Sequence, residues 1–190
     1  MENRENRLIL VDKNDIQIGT AGKLEAHKGG KLHRAFSIFV FNKEGKLLIH
    51  RRAEGKYHSG GLWTNTCCSH PRPGEKVGDA AARRLVEEMG ISCPLVFLFA
   101  MPYRAEVSNG LVEDEITHVF IGRFDGTPVP DPLEVSDWCW KPFGVVEQDV
   151  DARPELYTVW FRKIRNEFWS DIVAALSDRG SGGEPKPPTP

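Results

Sequence analysis

The chain has no apolar run long enough to cross a bilayer, and its opening Met1-Glu2-Asn3-Arg4-Glu5-Asn6 lacks the basic-then-apolar order of a secretory signal. It also lacks a cation excess, with 25 Lys and Arg against 27 Asp and Glu. A general nucleic-acid binder carries the opposite balance, so nucleic acid is not an expected partner. Any anionic ligand must be held by a local cluster of cations. Cysteine is scarce: Cys67, Cys68, Cys93 and Cys139 form no CxxC pair and no disulfide framework, which points to reduced thiols in a cytoplasmic protein. No segment repeats. What remains is an ordinary globular composition, 40% hydrophobic and 27% charged over 190 residues, a length that suits one domain with its own core.

Hydrophobic periodicity predicts mostly strands with helices interposed late. "RLILVD", the end of "KNDIQIGT", "HRAFSIFVF" and "KLLIHRR" read as strands, the last two as a hairpin about "NKEG". "AEGKYHSGG" reads as a loop. "GDAAARRLVEEMG" reads as a helix with Asp79 as its N-cap and Gly90 just past its end. "SCPLVFLFAMPYRAEV" and "LVEDEITHVFIGRF" read as strands joined at "SNG", and "EVSDWCWKPF" as a further strand that leads into a short helix. From Pro154 onward Leu156, Trp160, Ile164, Phe168, Ile172 and Leu176 recur every four residues, a helical stripe. These elements predict an α/β (α+β) sandwich rather than a doubly wound sheet, with one domain over 1–177. The Gly/Ser/Pro-rich segment 178–190 is expected to be disordered.

Chemistry concentrates in three places. The stretch "WTNTCCSHP" sets Cys67 and Cys68 beside His70, a set that alone fits a redox pair, a zinc site, buried core or half of an active site. On the helix that follows, Arg83 and Glu87, and Arg84 and Glu88, lie four apart on shared faces, which by itself is a solvated salt-bridge pattern. With Glu75 ahead and Gly90 behind, the spacing resembles the Nudix signature, whose helix carboxylates hold Mg²⁺ against a diphosphate. Arg84 stands where Nudix hydrolases carry a metal-binding glutamate, and Ser69 where the signature opens with glycine. A cation there attracts phosphate oxygens but cannot help hold the metal that activates water, so the fold is expected without the hydrolysis. Thirdly, His27, His33 and His70 with Glu113 and Glu115 (two apart on one strand face) form a set better suited to a six-coordinate divalent ion than to a tetrahedral zinc. Spacing does not show that the five converge. His58 reads as a loop residue, and His50 and His118 as structural.

From about Leu8 to Leu176 the chain resembles the type 1 isopentenyl-diphosphate Δ-isomerases, Nudix-fold enzymes with a mixed β-sheet core flanked by helices. The matching stretches include "GTAGKLEAHKGGKLHRAFS", "LLIHRRAEGK", "LWTNTCCSHP", "RRLVEEMGI", "YRAEV", "VEDE" and "YTVWF". The resemblance implies that His27, His33, His70, Glu113 and Glu115 hold one ion, Mn²⁺ or Mg²⁺. It also implies a diphosphate-associated Mg²⁺ on Glu88, with the Cys68 carbonyl close by. Lys23, Arg52, Lys56 and Arg84 would grip the diphosphate. Cys68, Tyr103 and Glu115 would be the acid/base residues, with Glu115 hydrogen-bonded to Tyr103, and Trp160 the aromatic stabiliser of a carbocation. The implied activity is interconversion of a homoallylic and an allylic diphosphate, isopentenyl and dimethylallyl diphosphate; separately, the chain is expected to be a monomer. "KYHSGGLW" departs from the family's more usual Trp-Pro-Gly in that loop. The rival readings are a Nudix hydrolase of a nucleotide or other diphosphate, and a non-catalytic diphosphate sensor. The hydrolase lacks its glutamate, and the sensor has no use for Cys68 or Tyr103.

Overall fold

The computed structural model describes residues 7–177. In chain order these form β1 (Arg7–Val11), β2 (Gln17–Gly22), α1 (Lys23–Gly29), β3 (His33–Phe41), β4 (Leu47–Arg52), β5 (Trp63–Thr64), β6 (Cys67–Ser69), α2 (Val77–Met89), β7 (Leu95–Val107), β8 (Leu111–Arg123), β9 (Val135–Lys141), α3 (Phe143–Ala152) and α4 (Val159–Ser177). The tail expected to be disordered, 178–190, lies outside the described residues.

β3 is the hub of a mixed sheet, pairing with β1, β4, β6 and β8. It runs parallel to β8 from His33 opposite Glu115 to Phe41 opposite Arg123. On its other flank it runs antiparallel to β6, with Ser37 opposite Cys68 and Ile38 opposite Cys67. It is apolar on both faces because both are covered. Phe36, Ile38 and Val40 pack with Leu85 and Met89 of α2, whereas Phe39 and Phe41 pack with Phe161, Ile164 and Ile172 of α4. The expected sandwich is present, and the alternation of side chains along β3 decides what each layer receives.

Several sequence expectations need correction. The β3–β4 hairpin pairs only at Phe41 and Leu47. Beyond the turn the two strands part around Thr66, whose hydroxyl accepts from the Val40 N–H at 2.9 Å and donates to the Leu48 carbonyl at 2.7 Å. β4 then pairs instead with β5 and β9. The helix α1 was not foreseen; it has no side-chain N-cap and stops at Gly30, whose φ of 55° is the left-handed cap that glycine adopts without strain. The N-cap position of α2 is Lys76 rather than Asp79, which sits in the first turn, where its charge still favours the helix dipole. Gly90 ends α2 at φ 64°, as expected. The last helix begins at Val159, since Pro154–Leu156 form a separate 3₁₀ turn that leaves Leu156 38% exposed.

Candidate active site

The α4-facing positions of β3, β6 and β8 carry the polar chemistry. His33 and Ser37 lie on β3, Cys68 opposite Ser37 on β6, and Glu115 opposite His33 on β8. Cys68 and Glu115 therefore approach one cavity from opposite flanks of β3 and both line it, together with Trp160 from α4. Cys67 points the other way, fully buried in the α2 core. The inner cavity holds about 40 Å³. It shares Lys23, Lys56, Tyr57, His70 and Arg84 with an outer mouth of about 380 Å³.

Donor atoms of His27, His33, His70 and Glu115 all lie within 4.8 Å of one another. The Nδ1–H of His27 donates to the Lys23 carbonyl and that of His33 to the Lys31 carbonyl, each at 2.7 Å, which leaves both Nε2 lone pairs facing inward. His33 Nε2 is buried with no hydrogen-bond partner. An orphaned buried acceptor beside a carboxylate is what a ligand set lacking its ion looks like, so these residues fit a divalent cation. Burial pushes His27 down to about 4 and His70 to about 3, so both are neutral ligands at neutral pH. Burial pushes Glu115 up, but the facing rings of His33 and His70 outweigh it and hold the carboxyl well below its usual range. Glu113 goes the other way, raised by burial and then by the charge of Glu115. Glu113 stands in an adjoining group with His27 and His58 rather than in the main cluster.

Lys23, Arg52, Lys56 and Arg84 line the inner cavity. Lys23 is held down to about 8 by burial and then by Lys56 and Arg52. The Arg52 guanidinium sits 5.2 Å from the centre of the Trp160 ring. Arg84 donates to Glu88 at 2.5 Å, to Glu87 at 2.9 Å and to Glu134 at 3.1 Å, and Lys56 also pairs with Glu134. Both helix pairs read from the sequence are present, and Arg83 additionally holds Glu75 at 2.7 Å. Glu88 is buried, which raises its carboxyl despite Arg84.

Cys68 is held as a thiol. Burial pushes it up to about 12; its S–H donates to Asn65 Oδ1 at 3.0 Å and its sulfur accepts from Ser37 Oγ at 3.2 Å. Asn65 is held in turn by donating to the carbonyls of Ile38 and Cys67 at 3.0 and 3.1 Å. Trp160 Nε1 donates to Thr64 Oγ1 at 2.9 Å, which fixes the indole face over the cavity. The expected Tyr103–Glu115 hydrogen bond is absent. The two residues are opposite each other in the β7–β8 ladder, but the buried Tyr103 hydroxyl has no hydrogen-bond partner among the described residues. The charges of Glu113 and Glu115 add to burial in raising its phenol.

Sequence reasoning thus found most of the ionisable groups and missed the residues that hold them. Thr64 and Asn65 were visible as part of "TNTCCSHP" but received no role. His58, read as a loop residue, lies 3.2 Å from Glu113 and lines the cavity; Glu134, which bridges Lys56 and Arg84, was not singled out at all.

The NUDIX domain matches residues 31–161. A solved structure of a Deinococcus radiodurans protein superposes with a TM-score of 0.64 at 20% identity, over 77% of this chain and 89% of that one. Fold and helix signature together define a Nudix-fold protein. An isopentenyl-diphosphate Delta-isomerase 2 of Aromatoleum aromaticum is 54% identical over 94% of this chain and 92% of its own length. The isopentenyl-diphosphate Delta-isomerase 2 of Photorhabdus laumondii is also 54% identical, over 87% and 98%. The chain belongs to the isopentenyl-diphosphate Delta-isomerase family.

Proposed function

We propose that this chain interconverts isopentenyl and dimethylallyl diphosphate, with Cys68 and Glu115 as the proton-transfer pair. The observation that carries the reading is the placement of a neutral thiol and an ionised carboxylate on opposite flanks of β3, lining one cavity beside an indole face. Protonating the terminal carbon of the alkene gives a tertiary carbocation, and loss of a proton from the neighbouring methylene gives the allylic isomer. One group delivers a proton and the other removes one, and the roles exchange in the reverse direction. The Trp160 ring offers the cation a non-nucleophilic electron-rich face. Lys23, Arg52, Lys56 and Arg84, which line the same cavity, grip the diphosphate, so that remote binding energy positions the alkene.

His27, His33, His70, Glu113 and Glu115 would hold a divalent ion, Mn²⁺ or Mg²⁺, which supplies compensating charge to the buried carboxylates. Glu88, with the Cys68 carbonyl near it, would serve a second Mg²⁺ that arrives with the diphosphate. Tyr103, buried opposite Glu115 in the β7–β8 ladder, would complete the acid/base set. The enzyme acts as a cytoplasmic monomer in this reading, which the four free cysteines support for a reducing compartment. The test is incubation with isopentenyl diphosphate and Mg²⁺ in D₂O, followed by NMR. Deuterated dimethylallyl diphosphate without phosphate release is expected. Released phosphate would indicate a hydrolase, and no change a sensor.

A further inference from the structure

The loop between β4 and β5, Ala53-Glu54-Gly55-Lys56-Tyr57-His58-Ser59-Gly60-Gly61, is folded tightly against the rest of the site. Ser59 has φ 51° and Gly61 φ 76°, and a Cβ on Gly60 would meet the Glu54 carbonyl at 2.6 Å. The loop is pinned to the turn between β7 and β8. The Ser59 N–H donates to Ser108 Oγ at 2.9 Å, and Asn109 Nδ2 donates to the Tyr57 carbonyl at 2.8 Å. Arg52 Nη2 donates to the carbonyl of His58 itself at 3.2 Å. A backbone fixed at three successive residues leaves the His58 side chain one direction to take, inward.

Inside, the ring is only 3% exposed. Its Nε2 lies 3.2 Å from Glu113 Oε1, its Nδ1 lies 3.2 Å from Ser59 Oγ, and it stands edge-on to Trp160 at 5.9 Å and 87°. With the Ser59 hydroxyl donating to Nδ1, the ring carries its hydrogen on Nε2, the nitrogen on the Glu113 side. Glu113 needs such a partner. It is buried two residues from Glu115 on the same strand face, and the two like charges repel.

We propose that His58 is a positioning residue that turns the Glu113 carboxylate toward His27 and so completes the metal-binding set. This rests on the reading that the His/Glu cluster holds a divalent ion. The Tyr57-His58-Ser59 segment then does by a close polar contact what spacing on the strand cannot do, which is hold Glu113 beside His27 instead of letting the two carboxylates splay apart. Partners of this kind affect metal affinity by about 10–100-fold in other sites.

The test is titration of Mn²⁺ into metal-free protein, read by the loss of the free-ion EPR signal. The variants are His58→Gln, whose amide can still donate from the Nε2 position, His58→Leu, which keeps bulk without a donor, and Glu113→Gln as the reference for a lost ligand. Mn²⁺ affinity is expected to fall about tenfold or more in His58→Leu and to stay within about threefold of the parent in His58→Gln. Equal affinities for the Gln and Leu variants, with Glu113→Gln weakened, would overturn the role of His58 and leave the metal centre standing. Undiminished affinity in Glu113→Gln as well would overturn the metal-centre reading and this proposal with it. A His58→Leu protein that fails to fold leaves the decision to His58→Gln, whose affinity must then stay within threefold of the parent for the proposal to survive.

Discussion

Asn65→Leu tests the polar scaffold under the reactive thiol. The amide is fully buried and makes four contacts: donation to the Ile38 carbonyl at 3.0 Å, donation to the Cys67 carbonyl at 3.1 Å, and acceptance from Cys68 S–H at 3.0 Å and from the Thr64 hydroxyl at 3.1 Å. Leucine keeps the shape and removes all four. Each lost neutral hydrogen bond costs about 0.5–1.5 kcal/mol, and more where a buried group is left without any partner. The sum is about 2–6 kcal/mol, a large share of the roughly 5–15 kcal/mol that holds a domain folded. Urea unfolding should show the midpoint fall with the slope unchanged. Turnover should fall by about 10–100-fold, because the sulfur loses its acceptor and is oriented by Ser37 alone. Stability within about 0.5 kcal/mol of the parent would refute the stability part of this reasoning. Full turnover in a folded Asn65→Leu protein would refute the orienting role.

Three further outcomes are expected. Cys68→Ala should abolish turnover in the D₂O assay while Cys67→Ala barely changes it, and equal losses would contradict the assignment of faces. Metal-free protein should lose stability as pH falls below about 6.5, because burial holds His50 and His70 near 3 when folded, so the unfolded chain takes up protons first. Each histidine contributes up to about 1.4 kcal/mol per pH unit in that window, opposed by protons on Glu113 and Glu88, whose carboxyls are raised; a flat urea midpoint between pH 7 and pH 5 would count against it. With Lys23 held down to about 8, KM for the diphosphate should rise as pH passes that value, and Lys23→Arg should flatten the rise; a KM independent of pH up to 9.5 in the parent would exclude the charge of Lys23 from binding.

What was legible in the sequence was whatever a local period determines. Strand alternation separated Cys67 from Cys68 and put Glu113 and Glu115 on one face. The four-residue helix spacing gave the Arg83–Glu87 and Arg84–Glu88 pairs. What was not legible depends on contacts distant in sequence. α1 has no capping side chain, and its His27 is completely buried, so tertiary packing rather than propensity holds it. The parting of β3 from β4 is caused by the hydroxyl of Thr66, 26 residues from Val40. His58 enters the site because Ser108 and Asn109, about fifty residues on, pin its neighbours. Tyr103 and Glu115 are paired by backbone register, but that pairing did not bring their polar ends together.

The register of β6 has a diagnostic consequence. This strand is three residues long, and Thr66 and Asn65 anchor it to β3 and β4. A chain settled one residue out of phase would bring the thiol of Cys67 into the chamber in place of Cys68 and turn His70 to the far side. Such a misfolded form would keep a cysteine at the chamber wall, and a thiol-labelling reagent would score it as native. Metal uptake would expose it, because only the correct phase leaves His70 facing both His27 and His33. For any variant altered between Gly61 and His70, titration with a divalent ion is therefore the sounder check of folding.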